Sequence, residues 1–163
     1  TQEEAFYCFK HCLSTMSLRD MFLPGLVDLQ KKLYVFTQLG WAYDEELWDH
    51  MIDNGVKPMM YVTEWFMTLF CRGFNFELCT RVVEIFMFEG FKIAYRVALT
   101  ILHSMKDELM DAGFEEMLAI IRVRSKEIDA NQIMIDAFTW KFRSNEIEKY
   151  EKVYDKLEPH QRM

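Results

Sequence analysis

The sequence predicts an all-α fold, a multi-helix orthogonal or antiparallel array of about eight helices, and three observations carry that prediction. Apolar residues recur at helical spacing through most of the chain. Only 6 Gly and 3 Pro occur in 163 residues, which leaves few turn signals and favours long helices over many short strands. No segment shows the apolar–polar alternation of a half-buried strand. No fixed-period repeat points to a solenoid.

The elements follow in order. A first helix is predicted over about 2–14, with Ala5, Phe6, Phe9 and Leu13 as its apolar stripe. "LPG" at 23–25 is a turn, and a second helix over about 26–39 carries Leu26, Leu29, Leu33 and Phe36. Gly40 is placed as its C-cap. Asp44 caps a third helix bearing Leu47, Trp48, Met51 and Ile52, which "DNG" at 53–55 ends. Pro58 suits the first turn of a fourth helix, expected to reach Arg72 before Gly73 stops it. A fifth runs from about Glu77 to Phe88, ahead of Gly90. A sixth is expected over about 91–111, and Gly113 parts it from a seventh at about 114–125. Asp129 or Asn131 starts an eighth that is expected to run to about 156. Its later half, "EIEKYEKVYDK", reads as a solvated helix with Glu/Lys pairs or as a partner-binding coil; its apolar positions are too sparse for a long heptad seam.

The bulk numbers bound the function. The chain is one domain-sized unit, 51% hydrophobic, with 14 Phe, 12 Met and 4 Trp, enough for a sizeable core. A net charge of −7 disfavours a nucleic-acid partner, which needs a clustered basic surface. No apolar run approaches the ~18 residues of a membrane-spanning helix, so direct membrane insertion is not expected. Four cysteines, at 8, 12, 71 and 79, read as reduced buried thiols of a cytosolic protein. In "CFKHC", Cys8, His11 and Cys12 share one helical face, but zinc wants four ligands and no second pair has matching spacing. No metal and no cofactor are expected. The chain begins at Thr1 rather than Met, as an internal fragment would.

The chemistry-bearing pairs are weak. Glu46 with His50 at i, i+4, and Asp107 and Glu108 near His103, are spacings that amphipathic helices produce routinely. No Gly-rich phosphate loop or nucleophile elbow accompanies them.

The stretch "YVTEWFMTLFCRGFNFELCTRVVEIFMFEGFKIAYRVALTIL", residues 61–102, is more specific. It resembles a signature block of the TBC domain, the GTPase-activating module for Rab-type small GTPases. "EEAFYCF" (3–9), "LPGLVDLQKKLYVF" (23–36) and the G-V-x-P turn (55–58) match that family's order, so the resemblance covers about residues 2–125. Where the family usually reads R-I-W-D, this chain has Arg81-Val82-Val83-Glu84, and Phe74–Phe76 stands where a Pro-containing turn is common. Both departures read as changes of packing. Residues 126–163 are read as a charged helical extension.

The resemblance implies a mechanism. Such proteins supply an Arg from an I-x-x-D-x-x-R motif and a Gln from a Y-x-Q motif to a bound GTPase; a single arginine finger is worth ~10³–10⁵ in rate. No Y-x-Q follows any of the 7 tyrosines. Phe36-Thr37-Gln38 is the nearest string, and its place matches a later helix. Ile133-Met134-Ile135-Asp136-Ala137-Phe138-Thr139 ends in Thr where the motif has Arg. The family's order places both motifs ahead of "EEAFYCF", so this chain is expected to be the C-terminal, scaffold and docking lobe of the domain, without catalytic residues of its own. The second reading is a non-catalytic helical module that binds a GTPase or an adaptor.

The implied partner is a GTP-bound Rab-type GTPase, met in the cytoplasm at the periphery of endomembranes during vesicle trafficking. Candidate docking residues are polar positions near helix ends beside the motif: Lys57, Tyr61, Glu64, Arg72 and Asn75. Trp65, Phe66, Leu69 and Phe70 read as core, and Glu64 at their edge is expected to pair with Arg72, Arg81 or Arg96. A half-domain would also present an apolar face, which predicts self-association or coverage by the charged C-terminal helix.

Overall fold

The computed structural model describes residues 1–158; residues 159–163, the end of the charged tail, lie outside the described residues. Among the described residues there are ten α-helices, two short 3-10 turns and no strand, so the all-α expectation holds. Helix α1 spans Gln2–Ser14, α2 Val27–Tyr43, α3 Glu45–Asp53, α4 Val62–Thr68 and α5 Phe76–Glu89. Helix α6 spans Lys92–Ser104, α7 Lys106–Met110, α8 Phe114–Arg124, α9 Ala130–Ala137 and α10 Ser144–Lys156. The 3-10 turns cover Leu18–Phe22 and Pro58–Met60.

Helix α6 is the axis of the core. Every residue from Ile93 to Leu102 is buried, as expected for a helix apolar nearly all round. Helices α4, α5 and α9 pack against it, and α2 carries α3, α4 and α10 on its other sides. Edge-to-face aromatic pairs join these layers: Phe66 meets Phe36, Phe91 and Tyr95 with ring centroids 5.6, 4.9 and 5.6 Å apart.

Two buried polar side chains of α6 are matched from neighbouring segments. The Arg96 guanidinium donates to Glu89 Oε2 at 2.7 Å and lies over the rings of Phe138 and Phe142. The Thr100 hydroxyl donates to the Arg96 carbonyl and accepts from the Trp140 indole N–H at 2.8 Å.

Several boundaries differ from the sequence expectation, each for a packing reason. Gly40 does not cap α2. The helix runs on to Tyr43, and Gly40 leaves room for the buried ring of Trp48 from α3. Helix α4 stops early, because Leu69 and Phe70 turn into the left-handed region (φ 46° and 61°) so that both can be buried. Gly73 therefore follows the break and does not cause it. The helix expected over 91–111 breaks at the buried Met105 into α6 and α7. The helix expected to run to 156 divides into α9 and α10, because Trp140 and Phe142 must leave a helical path to reach the core; Phe142 is 1% exposed.

The stripe foreseen on the first helix is also different. Cys12 is buried and Leu13 half-buried, while Phe6 and Phe9 stand in solvent at 62% and 59% exposure. The charged tail forms α10 and packs on α2: Tyr154 stacks against Tyr34, its hydroxyl donates to Gln30 Oε1, and Lys31 pairs with Asp155 at 2.6 Å. Glu148 and Lys152 form one of the expected i, i+4 pairs.

The cysteines correct the reduced-thiol expectation. The left-handed turn at Leu69–Phe70 reverses the chain and brings Cys71 to Cys79 of α5, with Cα atoms 4.8 Å apart, and the two form a disulfide. Cys8 is an exposed free thiol. Cys12 is buried, with its Sγ 3.0 Å from Met87 Sδ, so Cys8 and Cys12 do not share an environment.

Candidate protein-docking surface

The five sequence candidates fall along the segment from the second 3-10 turn through α4 to the start of α5. Lys57 is exposed, in extended backbone just before Pro58. Pro58 is buried and starts the 3-10 turn, which leaves Met59 and Met60 in solvent beside Lys57 at 63% and 47% exposure. These two methionines were not singled out by the sequence. Their signal was available: they follow a Pro at a helix start and precede the buried aromatic stripe.

Trp65, Phe66, Leu69 and Phe70 are all buried, so the stripe is interior as expected. Glu64 lies outside it and is exposed. Of its three possible arginine partners the fold selects Arg72, whose Nε donates to Glu64 Oε1 at 2.8 Å. Arg81 instead pairs with Glu77, and Arg96 with Glu89. Thr68 fixes the geometry beneath the pair. Its hydroxyl donates to the Glu64 carbonyl at 2.8 Å and accepts from the Arg72 backbone N–H at 3.3 Å. With side chains 79% and 48% exposed, the Arg72–Glu64 pair adds little to stability, about 0–1 kcal/mol. It presents an ordered plus–minus pair to solvent.

Tyr61 and Asn75 have different surroundings. Tyr61 is 8% exposed and packs edge-to-face on Trp65, ring centroids 5.6 Å apart. Burial pushes its phenol well above the ordinary range. Asn75 is the N-cap of α5, its side-chain oxygen accepting from the Leu78 N–H at 2.9 Å. Its Nδ2 donates to the Ile128 carbonyl at 3.0 Å and so ties α5 to the loop before α9. The structure thus brings Glu64 and Arg72 together, leaves Lys57 beside exposed methionines, and holds Tyr61 and Asn75 in the scaffold.

The titratable pairs suggested by spacing acquire other partners. Glu46 pairs with Lys106 at 2.8 Å, and His50 Nε2 lies 3.4 Å from the Ala112 carbonyl. Glu108 pairs with Arg124, and His103 with Asp44 at 2.7 Å. Asp44 is buried and also accepts from Lys106 at 2.8 Å. Burial alone would raise its pKa; the hydrogen bonds from Lys106 and His103 outweigh that and hold the carboxyl below its ordinary value. This cluster joins the start of α3 to the α6–α7 break. Among the described residues no group of three or more His, Cys, Asp or Glu could hold a metal ion, and no helix is long and apolar enough to cross a membrane.

The structure is thus an all-α array with its aromatic core built around α6 and an exposed charged pair, Glu64–Arg72, at the end of α4. Comparison with known proteins gives it a family: the Rab-GTPase-TBC domain sequence profile matches residues 1–110, and the chain belongs to that family. Ecotropic viral integration site 5 protein of Mus musculus is 32% identical over 156 residues, 94% of this chain and 19% of that relative. GTPase-activating protein GYP5 of Saccharomyces cerevisiae is 28% identical over 121 residues, 74% of this chain and 14% of that relative. Rab GTPase-activating protein tbc-11 of Caenorhabditis elegans is 27% identical over 161 residues, 96% of this chain and 17% of that relative. The chain therefore spans about a fifth or less of the length of these relatives.

Proposed function

We propose that this chain is the scaffold and docking lobe of a GTPase-activating protein that acts on a GTP-bound Rab-type small GTPase, and that it does not itself supply the arginine and glutamine of the reaction. One observation carries the reading. The chain belongs to the Rab-GTPase-TBC family, yet contains neither Y-x-Q nor I-x-x-D-x-x-R. Without such donors, charge developing on the transferred phosphoryl group is met by nothing from this lobe. In this reading residues 1–125 form the lobe and the charged stretch from 126 onward extends it, with α9 and Phe142 packed into the same core.

Lys57, Glu64 and Arg72 are the side chains offered to the GTPase; Tyr61 and Asn75 shape the surface that offers them. The exposure of the first three and the fixed Glu64–Arg72 geometry support this division of labour. Fixed complementary charges act chiefly on association rate and partner choice. Contact with endomembranes would come through the lipid-linked GTPase, because an acidic chain offers no polybasic anchor. The exposed Phe6, Tyr7 and Phe9 of α1 are the face through which self-association would occur.

The test is a binding titration of the chain against a panel of GTP-loaded and GDP-loaded Rab-type GTPases, with Arg72→Glu and Lys57→Glu beside it. Binding that prefers the GTP form and weakens about tenfold in both variants is expected. Binding to no member of the panel, or binding indifferent to both substitutions, contradicts the docking assignment.

A further inference from the structure

The groove between α5 and α9 is lined by none of the five candidate docking residues, and its chemistry is distinct. It has a volume of about 760 Å³ and an apolar lining of Phe76, Ile85, Met134, Ile135 and Phe138. Three of these are unusually exposed for large apolar side chains: Phe76 at 85%, Ile135 at 65% and Phe138 at 44%. A contiguous exposed apolar strip on two adjacent helices marks a surface meant to be covered.

The polar lining is unevenly charged. Glu77, Arg81 and Glu84 all line the groove. Arg81 is neutralised by Glu77, Nη2 to Oε1 at 2.9 Å, and Glu77 Oε1 also lies 3.4 Å from Asn131 Nδ2 across the groove. Glu84 has no ion-pair partner among the described residues. The groove therefore carries one uncompensated carboxylate beside its apolar strip, on a chain of net charge −7.

We propose that this groove docks a short amphipathic helix of a partner protein, with an apolar face for the strip and Lys or Arg along its edge for Glu84. The dimensions fit. Lining positions on α5 run from Phe76 to Ile85, about 13 Å along the axis at 1.5 Å per residue, while anchors at i, i+3 or i+4 and i+7 of a docked helix span about 10 Å. An acidic groove favours a basic helix over an acidic one by both attraction and like-charge exclusion. It also disfavours an anionic membrane surface as the occupant. The inference is independent of GTPase docking, because no residue is shared between the two surfaces.

The test uses the full chain and three roughly 16-residue peptides, long enough to form helix, that share one apolar stripe and differ only in carrying Lys, Gln or Glu at the flanking positions. Binding is read by fluorescence anisotropy and by amide chemical-shift changes. The Lys peptide is expected to bind in saturable fashion, with shifts confined to α5 and α9. Ile135→Glu weakens it at least tenfold. Glu84→Lys weakens the Lys peptide and strengthens the Glu peptide, a reversal that a merely sticky patch would not show. Both substituted side chains are exposed, and circular dichroism of each variant checks that the fold is kept. The proposal is overturned by absence of saturable binding, by shifts outside α5 and α9, or by equal affinity for all three peptides. It is equally overturned if the chain dimerises and Ile135→Glu renders it monomeric, since the occupant is then a second copy.

Discussion

Gly40 of α2 lies directly against the indole of Trp48 in α3, so closely that a Cβ at Gly40 would fall inside the ring's van der Waals envelope. Trp48 is 2% exposed and stacks edge-to-face on Phe36, ring centroids 5.2 Å apart, so it has nowhere to move. Gly40→Ala would gain helix propensity worth about 1 kcal/mol. The overpacking cost of about 3 kcal/mol exceeds it. Urea unfolding is expected to show a net loss of about 2 kcal/mol. Pairing the substitution with Trp48→Leu should cost less than the sum of the two single changes, because the clash is then gone.

The Asn75 side chain makes two bonds that can be separated. Asn75→Ala removes both the cap of α5 and the tie to Ile128, with an expected loss of about 1–3 kcal/mol. Asn75→Asp keeps the capping acceptor but removes the Nδ2 donor, and should recover part of that loss. Equal stability of the two variants in denaturant titration would assign all the effect to the tie.

Asp44 makes the stability acid-sensitive. Its carboxyl is held below the ordinary value of 3.8, so its contribution is fully present above that value and is lost as pH falls through the lower folded-state value. Asp44→Asn is expected to cost about 1–3 kcal/mol at neutral pH, and the gap to the wild type should narrow in acid below about pH 4. Thermal melts of both proteins over that range measure it. A gap of constant size would place the acid sensitivity elsewhere.

The Cys71–Cys79 disulfide predicts two titratable thiols, those of Cys8 and Cys12, in the unreduced denatured chain and four after reduction. Reduction, or Cys71→Ser, should lower stability by about 2–3 kcal/mol, the chain-entropy value for so short a loop. Four thiols before reduction would contradict the pairing.

Most helices were legible in the sequence, because a buried helical face writes itself as apolar residues three and four apart; α2, α3, α5 and α6 all show it. Their ends were less so, since tertiary demands decided them. Gly40 carried a stop signal locally but serves the close approach of Trp48. Trp140 and Phe142 broke a helix to reach the core, which no local propensity encodes. At the candidate surface the sequence marked Glu64 as the edge of a buried stripe. Only the reversal at Leu69–Phe70 determines that Arg72, and not Arg81 or Arg96, meets it. Tyr61 sits at the N-cap of α4 after the 3-10 turn, and its burial comes from packing on Trp65 of the same helix, which its polar hydroxyl did not suggest.

Single-turnover GTP hydrolysis by GTP-loaded Rab-type GTPases, with this chain in excess, tests the central claim most directly; a longer chain carrying both motifs serves as the positive arm. The account predicts that the intrinsic rate is unchanged by this chain, even for a GTPase that binds it, while the longer chain accelerates hydrolysis by ~10³-fold or more. Acceleration by this chain alone would contradict the account and would require a catalytic donor among its own arginines and glutamines.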